Sequence, residues 1–464
     1  MSDSLERSPN VAMVFERLAA RAGAVLLATP DGEVSALAVL ERAKELESGF
    51  VRSGVGPGAI CAFEGDYAPD TIATFLALMR IGAIAVPFSA GASAEREELS
   101  TVAAVDWVLD VSAGTAARRA IPPQPPHPLV AELISLGHPG LIVFTSGSTG
   151  KPKAILHDID RIAAKFAQSR PGWRMVMFLL IDHFGGFNTL MSVLANDGVG
   201  VCPRDRSPRA ICEAIAGGGA ELLPTTPTFL GMLIASGLWR EYSLDSIRLV
   251  TYGAEPMPPV TLARMREILP KAQFKQTYGL SELGVLRSSS PDQDSLWLKV
   301  GGVGFETRVV EGQLQVRSAS TMMGYINAPS PVDAEGWMDT GDLVEEKDGL
   351  IRFLGRRSEI INVGGQKVLP AEIEDILLEA EGVTASAVFG TRHALLGQAV
   401  VARVALSKPE EPKRLTERLR DHCRQRMQKF KIPMRFEIVD ETSLSTARAK
   451  KNRAPGGVEQ DREA

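Results

Sequence analysis

The chain has 464 residues, 45% of them hydrophobic and 23% charged, which is more apolar material than one compact core requires and predicts at least two globular domains. Lys plus Arg number 51 against 56 Asp plus Glu, a net charge of −5 with no basic block. That balance argues against a broad nucleic-acid-binding surface and points to small molecules or proteins as partners.

The N-terminus, MSDSLERSPN, lacks the basic-then-apolar layout of a secretory signal, and Arg80 interrupts the longest apolar region, Thr71 to Ala92. No membrane span is expected, and the expected location is the cytoplasm. The four cysteines, Cys61, Cys202, Cys212 and Cys423, show neither CxxC nor zinc-type spacing, so ordinary thiols are expected rather than disulfides or structural metal.

In chain order, Ile121 to Pro128 (IPPQPPHP) reads as an extended connector between two subdomains, because neighbouring prolines cannot continue a helix. Apolar runs at Leu141 to Phe144, Met175 to Ile181 and Leu249 to Thr251 alternate with helical patterns, the rhythm of parallel sheets covered by helices. Val344 to Leu354 carries Asp348-Gly349 between two strand-like pieces, a hairpin signal.

After about residue 356 the chain reads as a smaller α+β domain. Pro370 suits a first helical turn, Ile373, Ile376, Leu377 and Ala380 form an apolar stripe, and Gly382 sits where a C-cap glycine belongs. Ala399 to Leu406 is a strand candidate, and Leu415, Leu419, Cys423 and Met427 mark a second helix. From Ala454 onward (APGGVEQDREA) the apolar content is too low to order the chain, so a disordered tail is expected.

The stretch richest in chemistry is Phe144 to Ala154, FTSGSTGKPKA, which follows an apolar run and gathers hydroxyls, glycines and lysines. Such a loop can wrap phosphate oxygens with backbone N–H groups, hydroxyl donors and ammonium charge. It is not a Walker A loop, because only two residues separate Gly147 from Gly150 and Pro152 follows Lys151. On composition alone a flexible surface loop remains the alternative.

As an ordered string, this segment resembles the phosphate-loop signature of the AMP-forming adenylating enzymes, the superfamily of acyl-CoA synthetases, carrier-protein adenylation domains and luciferases. The resemblance recurs in order at Gln276 to Gly284 (QTYGLSELG), Asp339 to Leu343 (DTGDL), Gly355 to Glu374 (GRRSEIINVGGQKVLPAEIE) and Thr446 to Arg453 (TARAKKNR). It is closest in character to an acyl-CoA synthetase. The first 130 residues carry no equally specific string.

The resemblance implies an α/β fold with a large N-terminal region of several subdomains, 1–355, a hinge at 356–359 centred on Ser358, and a small mobile α+β lid, 360–453, before the tail 454–464. It implies ATP phosphates held by Thr145, Ser146, Gly147, Ser148, Thr149, Gly150, Lys151 and Lys153. Gly253, Ala254 and Glu255 then form a loop beside adenine in which the backbone does the binding. Tyr278 is the ring on which adenine stacks, with Gly279 and Ser281 in the same motif.

Asp342 is the implied ribose anchor, since a carboxylate has two acceptor oxygens, and Arg356 adds a cationic contact. Glu282 offers a hard oxygen to Mg²⁺. Lys450 is the implied catalytic ammonium over the α-phosphate, and His183, in IDHFGGFN, closes over the acyl substrate. Gly364 and Gly365, before Lys367, belong to the lid loop that would line the tunnel of an incoming pantetheine thiol.

The expected reaction is ATP-dependent activation of a small carboxylic acid to acyl-AMP and pyrophosphate, then transfer to a thiol, with coenzyme A as co-substrate. A carrier-protein phosphopantetheine or a non-thiol acceptor is the alternative within the class. Ala154, Ser358 and Ala449 stand where the family usually has Gly, Asp and Gly, which motivates a different reading, a nucleotide-binding regulatory protein without turnover. His183 as a core residue, and Lys450, Lys451 and Arg453 as a solvated basic tail, are the corresponding local alternatives. Asp182 is a further candidate, as a seat for a substrate ammonium.

Overall fold

The computed structural model describes residues 3–453 apart from 90–92, 121–124, 147–151, 287, 292–294, 302–303, 319–320 and 447–448. Gly147, Ser148, Thr149, Gly150 and Lys151 of the expected phosphate loop therefore lie outside the described residues, as do the first half of the proline-rich connector and the tail 454–464.

Two seven-stranded sheets carry the large region. One runs in the order Gln273–Gln276, Leu249–Tyr252, Leu222–Thr225, Arg174–Val176, Val199–Val201, Val25–Thr29 and Gly32–Ser35, parallel except for its last pair. The other runs Gly324–Tyr325, Pro152–Asp158, Gly140–Ser146, Ile84–Phe88, Ile60–Glu64, Trp107–Asp110 and Thr115–Arg118, with a parallel centre and antiparallel edges.

One apolar core joins both sheets through the helices Pro69–Ile81 and Phe184–Ala195, with Phe75 edge-on to Phe63 and against Phe187. The first of these helices buries most of its side chains, which is why its sequence reads as largely apolar. Its two charged residues, Asp70 and Arg80, pair with Arg42 at 2.8 Å and Glu47 at 2.5 Å. Among the described residues no helix is long and apolar enough to cross a membrane, and all four cysteines are buried and unpaired.

Three local readings change. The proline-rich connector does not join two subdomains; it returns the chain from Thr115–Arg118 to Gly140–Ser146 of the same sheet. Its last proline, Pro128, opens the helix Pro128–Leu136, where a missing N–H costs nothing. The run Met175 to Ile181 is strand only at its start, in Arg174–Val176, and Phe178, Leu179 and Leu180 beyond it line a cavity. Gly382, at φ 78°, follows the helix Pro370–Leu378 as a left-handed corner into Val383–His393, whereas the C-cap itself is Glu379.

A four-stranded antiparallel sheet, Phe305–Val310, Gln313–Ser318, Met338–Lys347 and Leu350–Arg356, ends the large region. Its last hairpin turns at Asp348 and Gly349 with φ of 52° and 72°, the two positive angles of a two-residue turn. A short 3₁₀ turn, Arg357–Glu359, leads into a five-stranded sheet built of Ile361–Val363, Gln366–Val368, Val383–His393, Gly397–Leu406 and Arg435–Ile438. The helices Pro370–Leu378 and Pro412–Arg424 cover it; Ile373 and Leu377 meet Leu415, Leu419 and Cys423 in one core.

Candidate active site

Strand ends and helix starts converge on one cavity of about 500 Å³ at the boundary of the large and small domains. Thr145 and Lys153 reach it from the hairpin of Gly140–Ser146 and Pro152–Asp158, and His183 from the start of Phe184–Ala195. Gly253 and Ala254 follow the strand Leu249–Tyr252, and Gly279, Ser281 and Glu282 come from a small hairpin. Arg356 and Ser358 close one side and Lys450 of the small domain another.

Lys153 and Glu282 bring opposite charges to the end of the cavity expected to take phosphates. Lys153 sits 5.0 Å from the Tyr325 ring centroid, and the Tyr325 hydroxyl donates to Glu282 Oε1 at 2.8 Å. Burial, with the Glu282 carboxylate second, raises the Tyr325 phenol above its ordinary value and keeps it a donor. Tyr325 thus orients Glu282 through one oxygen, an arrangement that suits a carboxylate sharing Mg²⁺ with phosphate oxygens and water. Nothing in the motif reading pointed to Tyr325, which stands outside every quoted string.

On the nucleoside side neither Tyr278 nor Asp342, both expected at the nucleotide, lines the cavity directly. Tyr278 is not part of the cavity wall: it is buried, stacks on Phe353 at 4.5 Å between centroids, and donates its hydroxyl to Asp342 Oδ2 at 2.7 Å. A buried phenol needs an acceptor, and Asp342 supplies it. Arg356 Nε lies 3.1 Å from the other carboxylate oxygen. Burial raises the Asp342 carboxyl, and Arg356 and Tyr278 pull against that shift.

The backbone near adenine's expected seat is tight. A Cβ on Gly253 would come within 2.6 Å of the Thr277 carbonyl, so only glycine lets these two strand ends approach. Ala254 holds φ at 70°. Glu255, grouped with them in the sequence, turns away from the cavity; its carboxylate accepts from Thr228 N–H at 3.3 Å, from Thr228 Oγ1 at 2.6 Å and from Lys451 N–H.

At the acyl end, Phe178, Leu179, Leu180, Phe184 and Gly186 form an apolar wall beside His183. His183 Nε2 is 3.6 Å from Asp182 Oδ1, and Asp182 Oδ2 accepts from Ser89 N–H at 3.2 Å, so Asp182 stands behind the histidine rather than in the cavity. Arg206 also lines this end, held bidentately by Asp66 and donating to the Phe178 carbonyl at 3.1 Å. A lone arginine after a short strand gave no sequence signal.

The segment carrying Lys450 is firmly anchored. Lys451 Nζ and both ends of Arg453 bind the Glu374 carboxylate at 2.7–2.9 Å, and Val388 N–H donates to it at 2.8 Å. Burial alone would raise the Glu374 carboxyl, but Lys451 and Arg453 outweigh it and hold the group at about 2. Lys451 and Arg453 are only 16% and 17% exposed, so they are not a solvated tail. Ala449 takes the left-handed φ of 48° that explains a glycine at this place, and its methyl is buried against the core of the large domain.

Gly364 and Gly365 form the two-residue turn between Ile361–Val363 and Gln366–Val368, with φ of 55° and 85°, and Lys367 is exposed beside them. None of the three lines the cavity. The small domain therefore presents Lys450, not the glycine turn, to the other site residues.

In this two-domain α/β architecture, Lys450 of the small domain thus faces a cleft lined by Lys153, Glu282 and Arg356 of the large one. The chain belongs to the AMP-binding enzyme family: that family's model matches residues 95–326, and the model of the AMP-binding enzyme C-terminal domain matches residues 372–451. Among its relatives, the 3-[(3aS,4S,7aS)-7a-methyl-1,5-dioxo-octahydro-1H-inden-4-yl]propanoyl:CoA ligase of Rhodococcus jostii is 27% identical over 64% of this chain and 61% of its own length. The chain thus spans less than two thirds of that relative.

The indoleacetate–CoA ligase of Aromatoleum aromaticum is 27% identical over 90% of this chain and 92% of its own. In fold, the chain is similar to the anthranilate CoA ligase solved with anthranoyl-AMP, at a TM-score of 0.80 and 19% identity, covering 95% of each chain.

Proposed function

We propose that the protein uses ATP to activate a carboxylic acid as acyl-AMP, releasing pyrophosphate, and then transfers the acyl group to a thiol, that of coenzyme A. The observation that carries this reading is the meeting of Lys450 from the lid with Glu282, Lys153 and Arg356 from the large domain in one cavity whose other end is walled largely by Phe178, Leu179, Leu180 and Phe184, with Arg206 at its edge. A cationic group over the α-phosphate, a carboxylate near the leaving group and an apolar acyl seat are what the first step demands.

In the first step the acid's carboxylate oxygen attacks the α-phosphorus and the bond to the bridging oxygen of pyrophosphate breaks. Lys450 offsets the negative charge that gathers on the α-phosphoryl oxygens, and Lys153 that on the departing group. Glu282, oriented by Tyr325, would hold Mg²⁺, which supplies charge neutralisation on the phosphates. Asp342 takes the ribose hydroxyls, with Tyr278 fixing its rotamer and half-exposed Arg356 free to move from Asp342 toward the nucleotide phosphate.

In the second step the thiol sulfur attacks the acyl carbonyl carbon and AMP leaves. The departing AMP keeps its charge on the phosphate, and with Lys450 turned away by the lid rotation the Gly364-Gly365 turn becomes the useful face of the lid. Ser358 is the pivot we assign. Arg357 on its N-terminal side is tied to Asp339 of the large domain at 3.2 Å, and Glu359 on its C-terminal side to Arg453 of the lid at 2.9 Å. The peptide between two oppositely anchored neighbours is where rotation is cheapest. A panel of aromatic, bicyclic and aliphatic acids scored by pyrophosphate release, with mass spectrometry of the CoA product, tests the reading.

A further inference from the structure

The lid meets the large domain through a contact that the reaction itself does not require. The helix Pro227–Ser236 begins at Thr226, whose hydroxyl accepts from Phe229 N–H at 3.2 Å as an N-cap and donates to the carbonyl of Ala449. One turn on, Glu255 accepts from the N–H and hydroxyl of Thr228 in the first turn of that helix, where a carboxylate is favoured, and from the N–H of Lys451. The two backbone groups that flank Lys450 are thus both held by side chains of the large domain.

We propose that Glu255, with Thr226, is a lid latch: a positioning residue that fixes the backbone on either side of Lys450 and so selects the lid pose of the first half-reaction. The assignment rests on the two-step reading given above. Its logic is local. Within the lid, Lys451 and Arg453 fix the strap to Glu374, so the strap moves as one piece with the small domain. Across the boundary, the described contacts hold the strap by the Ala449 carbonyl and the Lys451 N–H and bury the Ala449 methyl, and these contacts must break when the lid turns. A carboxylate acceptor that stays with the large domain and is already satisfied by Thr228 can release Lys451 N–H without being left unpartnered.

The consequence is a division of labour between neighbours in the sequence. Gly253 and Ala254 face the cavity, and Glu255, on the other side of the same turn, reads the position of the lid.

The test uses the full chain with spin labels on introduced cysteines at Val51→Cys and Leu395→Cys, exposed positions in the large domain and the lid; the four native thiols are buried. With α,β-methylene-ATP and Mg²⁺ present, electron–electron resonance should give one main distance for the parent. Glu255→Ala should move at least half of the population to a second distance, and Glu255→Gln, which keeps an acceptor oxygen, should restore the first. Unchanged distances in Glu255→Ala would overturn the latch.

So would a tenfold loss of α,β-methylene-ATP affinity at unchanged distances, since Glu255 would then be a nucleotide ligand. Thr228→Val, which removes one of the helix bonds and leaves the latch, should behave as the parent; redistribution equal to that of Glu255→Ala would mean the carboxylate acts only on the helix. With an acid that supports pyrophosphate exchange, Glu255→Ala should lower the exchange rate at least tenfold with the KM for ATP within twofold, and leave thioester formation from supplied acyl-AMP within twofold. An equal loss in both half-reactions overturns the latch. If no acid supports exchange, the two-step reading fails, and the distance measurement still decides the latch on its own.

Discussion

At the scale of single residues, the role proposed for Lys450 belongs to one step only. Lys450→Ala should reduce acyl-adenylate formation by about a hundredfold or more, the loss expected when a preorganised charge over a reacting group is removed. Thioester formation from supplied acyl-AMP should be spared, which single-turnover assays of each half would show. Glu282→Gln should weaken the dependence of pyrophosphate release on Mg²⁺ and leave AMP binding nearly intact, because Tyr278 and Asp342 are untouched. A titration of rate against Mg²⁺ in wild type and variant separates the two. Asp342→Ala should instead weaken ATP and AMP alike, since it removes the ribose acceptor and leaves the Tyr278 hydroxyl buried without its partner. The side chains that form these supports, Tyr325 under Glu282 and Tyr278 under Asp342, were legible only in part. The motifs mark which positions carry chemistry, but a residue that acts by holding another is found by distance, and Tyr325 lies 43 residues from the carboxylate it orients.

At the scale of elements, the hinge we propose is bracketed by two ion pairs of opposite allegiance, Arg357 with Asp339 and Glu359 with Arg453. Fixing φ between them by Ser358→Pro should trap one lid pose, so that adenylation survives and thioester formation fails, at a melting temperature within a few degrees of wild type. Equal slowing of both steps would place the pivot elsewhere. The lid helix Pro370–Leu378 supplies a pH prediction. Burial pushes the Asp375 carboxyl up to about 7, with Lys451 lowering and Glu374 raising it. The folded protein therefore favours the protonated acid, and stability is lost as pH rises from the ordinary carboxylate range, about 4, to about 7. Asp375→Asn should raise the melting temperature by a few degrees more at pH 8 than at pH 5, measured by calorimetry. The elements themselves were largely readable: hairpin turn, apolar stripes and alternating strands all follow from residue spacing. The connector at Ile121 to Pro128 was misread because proline at a first helical position and proline in an extended linker look alike in sequence.

At the scale of the whole molecule, two domains share one cavity and one strap. The strap from Ala449 to Arg453 is gripped by the large domain through backbone groups and by the lid through buried charges, so the lid arrives at the cavity in a defined pose. Removing the buried centre of this arrangement by Glu374→Gln should destabilise the lid by about 3–5 kcal/mol, because two cations lose their counter-charge in a place with little water. The departures at Ala154, Ser358 and Ala449 do not empty the site. Ala154 lies within a strand and donates to Asn327 at 2.9 Å, Ser358 lines the cavity, and Ala449 keeps the left-handed backbone that glycine would give. ATP–pyrophosphate exchange across the acid panel, with ATP binding measured in the same preparations, decides whether the protein adenylates an acid. Exchange should depend on one class of acid and be lost in Lys450→Ala; tight ATP binding with no acid-dependent exchange from any member of the panel would contradict adenylation.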